Sequence, residues 1–247
     1  MHSSIALPAT SRHALDDALI LLRLAVAYAG LTAISHWVAG QIMQRIGDFW
    51  HIDTQFLVLD ALFTAVVLIG SLGIAWLLQP REPFSWMFGR NVTLAGLVPA
   101  LLLAIAMVLS ANPLAEWFDL RWPVPEFMPD VHDQPQILTP LLDLQAWRLV
   151  GAIVVATLWV PLAEEVIFRG WLFKALQRTR PGLWLALPAS TLIFALLHSF
   201  YSAGGVIVIA LLGVGLGWLR WKYDQVWLCV VAHATYNGLT LWMVAVF

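Results

Sequence analysis

Seven stretches of the chain are long and apolar enough to cross the hydrocarbon layer of a membrane, which is about 30 Å thick and takes about 20 helical residues. They run over about 18–40, 56–78, 92–109, 147 into the 160s, 183–200, 206–221 and 226–247. Backbone in lipid must satisfy its hydrogen bonds internally, and runs of this length do so as helices, since barrel strands are about half as long and alternate in polarity. The chain therefore reads as all-α, a polytopic membrane helix bundle of about seven (7–8) transmembrane helices with a four-helix core in its C-terminal half. Its 247 residues are 61% hydrophobic and only 11% charged, where ordinary soluble domains carry about a quarter charged residues.

Two regions follow. Residues 1–146 form an N-terminal three-span region that ends in a proline- and acid-rich extramembrane segment, 111–146. Residues 147–247 form the C-terminal membrane core. The six prolines of the segment, Pro113, Pro123, Pro125, Pro129, Pro135 and Pro140, rule out a long helix there, leaving a plain loop or a lid. The fourth span is expected to continue as an amphipathic piece, Trp171 to Arg178, bent into the interface. Gly213-x-x-x-Gly217 in the sixth span reads as close helix packing.

The cations orient the bundle. With the N-terminus cytoplasmic, the inner side holds Arg12, Arg81, Arg90, Lys174, Arg178, Arg180, Arg220 and Lys222, and the outer side only Arg45, Arg121 and Arg148. An alternating seven-span path thus obeys the positive-inside rule, as expected for an integral protein of a bacterial-type inner or plasma membrane. A net charge of −2 with no basic run gives no sign of a nucleic-acid partner; the partner the composition demands is the lipid bilayer. The lone cysteine, Cys229, excludes an internal disulfide and an all-cysteine metal site.

Against this apolar background stand Glu164, Glu165 and Arg169. A charge at mid-bilayer costs about 2.5 to 3.5 kcal/mol, so three cost about 8 to 10 before pairing, which points to function. Glu165 and Arg169 have the spacing and order of a helical ion pair. Glu164 lies about 100° around the helix and has no basic residue one turn away. Two further polar pairs stand in later spans, Phe194-x-x-x-His198 and His233-x-x-x-Asn237. Glu164 is seventeen residues before Pro181 and His198 seventeen after it, so antiparallel helices of equal rise bring the two to similar depth. A carboxylate and an imidazole can activate water, and a second imidazole with an amide can supply donors to an oxyanion.

In these motifs, Glu164-Glu165-x-x-x-Arg169, Phe194-x-x-x-His198 and His233-x-x-x-Asn237, the stretch from about Pro161 to Asn237 resembles the CPBP family of intramembrane proteases, which includes CAAX prenyl endopeptidases and Abi-like bacteriocin-processing or self-immunity proteins. The resemblance implies an endopeptidase acting on a membrane-associated peptide or protein. In it Glu164 and His198 activate water, His233 and Asn237 stabilise the tetrahedral intermediate, and Glu165, Arg169 and Phe194 give structural support. The family is often labelled metalloprotease, and zinc, if bound, falls to Glu164, His198 and His233. No His-Glu-x-x-His pair is present, so a metal-free glutamate mechanism with no cofactor is preferred. The other class in play is a non-proteolytic membrane protein, a self-immunity factor or a proton or ion transporter. Against it, the first three spans offer only Arg23, His36 and Asp60, no continuous polar path.

Overall fold

The computed structural model describes residues 52–78, 81, 83–89, 93–122 and 146–246, together with scattered helical positions between 19 and 45. Among the described residues there is no strand. The helices are α1 (Ile52–Leu78), the short α2 (Pro83–Phe88), α3 (Leu97–Asp119), α4 (residues 146–177), α5 (Leu183–Leu196), α6 (Ala203–Tyr223) and α7 (Val226–Val246). Three of the described helical stretches are long and apolar enough to span a bilayer, Leu97–Asp119, Leu149–Gln177 and Ala203–Tyr223, and two shorter ones, Ala61–Ile74 and Leu183–Leu196, are apolar. The 123–145 part of the proline-rich segment and nine of the positions 18–40 of the first span lie outside the described residues.

Two hydrophobic clusters build the bundle. One joins Val67 of α1, Met87 of α2, the Ala163–Leu176 part of α4 and Phe194 of α5. The other sets Ala100, Met107 and Ala111 of α3 against Leu212 and Leu216 of α6 and Leu228 and Ala232 of α7. Small residues permit these approaches. A Cβ on Gly204 would lie 2.2 Å from the Ala115 carbonyl oxygen, and one on Gly215 or Gly217 would lie 2.5 Å from Leu103 or Leu187 respectively, the packing role expected of the Gly213-x-x-x-Gly217 stripe.

Helix α3 departs from expectation. It ends at Asp119, ten residues beyond the expected end of the third span, and passes through Pro113. Its polar extension is held by α6: Asp119 Oδ2 accepts from Ser202 Oγ and Oδ1 from the Gly204 N–H, each at 2.7 Å, so the α3 carboxylate caps the α6 N-terminus. The second departure is Trp171–Gln177, expected at the interface. Trp171, Phe173, Ala175 and Leu176 are all buried, because α2 and α5 cover them; a Cβ on Gly170 would come 2.8 Å from Met87 Cγ.

Helix α4 is not uniformly α. A π-helical turn at Val155–Trp159 precedes the six-residue α segment Val160–Glu165, and a second π stretch, Val166–Leu172, follows it. Pro161 explains the position of the first, since its ring crowds the carbonyl four residues back and it brings no N–H to the ladder. Such π turns accumulate at functional sites, and these two flank Glu164.

Candidate active site

Glu165 and Arg169 form the expected pair, Nη1 to Oε1 at 2.9 Å, with both side chains fully buried. A buried charge pair repays its desolvation only with further hydrogen bonds, and these are made by Glu165 Oε1 and Arg169 Nη2, while Glu165 Oε2 and Arg169 Nε have none. Arg169 Nη2 donates to the Gly213 carbonyl at 3.1 Å, and its guanidinium lies 4.6 Å from the Phe194 ring centroid. Gly213 packs closely here: a Cβ there would stand in ordinary contact with Arg169 Nη2 at 3.5 Å and tightly against Thr191 Cγ2 at 3.2 Å. Glu165 Oε1 also faces His233 Nδ1 at 2.9 Å.

Glu164, on the adjacent face, points at both histidines. Its Oε1 is 3.6 Å from His198 Nε2 and its Oε2 is 3.7 Å from His233 Nε2. The hydrogen bonds behind each ring define which nitrogen is which. His198 Nδ1 lies 2.8 Å from the Phe194 carbonyl, which can only accept, so Nδ1 carries the hydrogen. His233 Nδ1 likewise donates to the Glu165 carboxylate. In the neutral rings both Nε2 lone pairs therefore converge on one carboxylate. At 3.6–3.7 Å these contacts exceed direct hydrogen-bond length and are of the kind a water bridges. Glu164 and His198 retain 22% and 19% side-chain exposure, against 5% for His233, so the open side of the group is the Glu164–His198 side.

Phe194 separates the buried ion pair from the open group. Its ring contacts His198, His233 and Phe168 at centroid distances of 4.9, 5.8 and 5.1 Å. Asn237 takes a different position from the other three polar residues: its Nδ2 donates to the Ala156 carbonyl of the first π turn at 3.0 Å. Tyr201, not foreseen from the sequence, stacks on His198 with centroids 6.3 Å apart. Burial, and secondarily the Glu164 charge, push its hydroxyl above the usual tyrosine value, keeping it a donor beside the site.

Two imidazole nitrogens and a carboxylate are chemically a zinc donor set. Among the described residues, however, no three histidine, cysteine or acidic side chains are placed to hold a metal ion.

Fold and site together define a helical membrane protein with a partly open carboxylate–imidazole centre. Residues 146–239 match the family model described as type II CAAX prenyl endopeptidase Rce1-like, in line with the resemblance that the motifs carry. The matched segment includes all of the site residues. No curated protein and no solved structure matches the chain.

Proposed function

We propose that the protein is an intramembrane endopeptidase that hydrolyses a peptide bond of a membrane-associated substrate with water activated by Glu164 and His198. The observation that carries this is the convergence of Glu164 on two Nε2 atoms, within a segment matched by an endopeptidase family. A water between Glu164 Oε1 and His198 Nε2 donates one hydrogen to each, because both are acceptors, and so turns its lone pairs outward to a substrate carbonyl. Glu164 takes a proton as the oxygen attacks the carbonyl carbon. As the tetrahedral intermediate collapses, the C–N bond breaks and the same proton passes to the departing amine.

The oxyanion donors are His233 and Asn237. With Nδ1–H on Glu165, His233 Nε2 becomes a donor when the ring carries both protons, and Asn237 has a second amide hydrogen beyond the one on Ala156. Removing one such donor in an acyl-transfer enzyme costs about 100- to 1,000-fold in turnover. Metal-free chemistry is preferred because the two nitrogens and the carboxylate suffice for these proton movements. A prenyl group on the substrate and a bacterial-type plasma membrane with the N-terminus inside are consistent with the family and with the cation distribution.

The test is Glu164→Gln in membranes. Gln is isosteric and Glu164 makes no direct hydrogen bond that folding needs, so cleavage of a reporter substrate is expected to vanish at unchanged yield and melting temperature. Retained processing overturns the assignment.

A further inference from the structure

The two π turns each leave a carbonyl over, and in both cases a side chain from another helix takes it up. At the end of the first turn the Val160 N–H reaches back five residues to the Val155 carbonyl. It thereby passes over Ala156, whose only other helical suitor is the nitrogen of Pro161, which has no hydrogen. Asn237 Nδ2 of α7 donates to that Ala156 carbonyl. At the end of the second, the Phe173 N–H reaches back to Phe168 and passes over Arg169. Arg220 of α6 donates from Nε to the Arg169 carbonyl at 2.7 Å.

Arg220 is fully buried and its other donors are fixed too, Nη2 to the Met87 carbonyl at 3.0 Å and Nη1 to Asp224 Oδ1 at 2.6 Å. Lys174 also pairs with Asp224 at 2.5 Å. Such a group cannot follow a carbonyl that moves. The register it fixes matters, since inserting or removing one residue's worth of winding turns the helix beyond by about 100°, which would carry Glu164 off the two histidines.

We propose that Arg220 and Asn237 are positioning residues that lock the two π turns and with them the rotational setting of Glu164 toward His198 and His233. Arg220 touches none of the reacting groups, so its effect passes through the winding of α4, which carries Glu164 and the Glu165–Arg169 pair. For Asn237 this role adds to oxyanion donation and, in its kinetic consequence only, rests on the endopeptidase reading.

The test reads geometry independently of activity. In the full chain with Cys229→Ser, the pair Glu164→Cys and His198→Cys is treated in membranes with a short bifunctional thiol reagent, long enough to span the two side chains that now meet there, and the rate of cross-linking is followed. Adding Arg220→Gln or Asn237→Asp is expected to slow cross-linking several-fold. Arg220→Lys, which keeps the charge for Asp224 but cannot reach both carbonyls, is expected to fall between, and decides the matter if Arg220→Gln does not fold. In the otherwise native chain Arg220→Lys is expected to lower turnover per folded molecule by about tenfold to a hundredfold with KM little changed, as a displacement of about 1 Å does. Unchanged cross-linking in the folded variants overturns the proposal. If the native chain cleaves nothing, the proposed function fails while the cross-linking result still decides this inference.

Discussion

Glu165 and His233, sixty-eight residues apart, meet at 2.9 Å through Oε1 and Nδ1, and the same oxygen holds Arg169 Nη1. A single buried atom thus neutralises a guanidinium and sets the tautomer of a ring that faces Glu164. The arrangement has the logic of an acid orienting a histidine in hydrolytic triads.

Glu165→Gln should therefore act twice. Breaking a buried pair from one side costs about 3–5 kcal/mol, so folded yield falls. The fraction that folds is expected to lose turnover by about a hundredfold or more, since His233 is no longer held in one tautomer. Arg169→Ala should share the loss of yield. Full activity in purified, folded Glu165→Gln enzyme would leave the pair a purely structural contact.

Phe194→Ala removes the ring that lies under Arg169 and beside both histidines. Burial alone makes such a truncation cost about 3–5 kcal/mol. Phe194→Leu keeps most of the volume and should cost less, with melting in detergent as the readout. A Leu variant as damaged as Ala would mean that the cation–π contact, not the volume, is the larger contribution.

Two glycine substitutions should separate by their surroundings. In Gly204→Ala the new methyl meets the Ala115 backbone at 2.2 Å, and backbone cannot swing aside, so a loss of at least about 1–3 kcal/mol is expected. In Gly238→Ala the nearest atom is Thr157 Cγ2 at 3.9 Å, ordinary contact, and helix propensity predicts a gain of up to about 1 kcal/mol. Thermal unfolding of both in one detergent checks the order.

Exhaustive chelation should leave cleavage intact if Glu164 and His198 act on water unaided. Activity lost to chelator and restored by zinc would instead assign Glu164, His198 and His233 as ligands and retire the glutamate mechanism.

What could be read from the sequence was local or followed from equal rise. The Glu165–Arg169 pair is one turn of helix, and counting out from Pro181 put Glu164 and His198 at one level, where they stand 3.6 Å apart. The π turns left no trace, because a change of winding alters no hydropathy; Pro161 was the one clue to the first. Helix α3 runs past the expected Leu109 because Pro113 and the acids after it read as an extramembrane segment, whereas Asp119 is held helical by partners on α6 that only the folded chain provides. Arg220 was counted among cations facing the inner surface, as a long side chain near a helix end can reach water. Its partner Asp224 stands one turn on and could have been read from spacing, but its two buried acceptors, the Arg169 and Met87 carbonyls, come from two other elements, which no spacing within its own helix foretells.

Helix α3 lies outside the segment that matches the endopeptidase family, yet it fills the groove between α6 and α7 and clamps the start of α6 through Asp119. The matched stretch is thus a unit of ancestry rather than of assembly. Excised at Ala146, it would confront lipid with the notches at Gly204 and Gly215 that now receive Ala115 and Leu103, and any transplant of the chemistry into another scaffold has to carry this helix along.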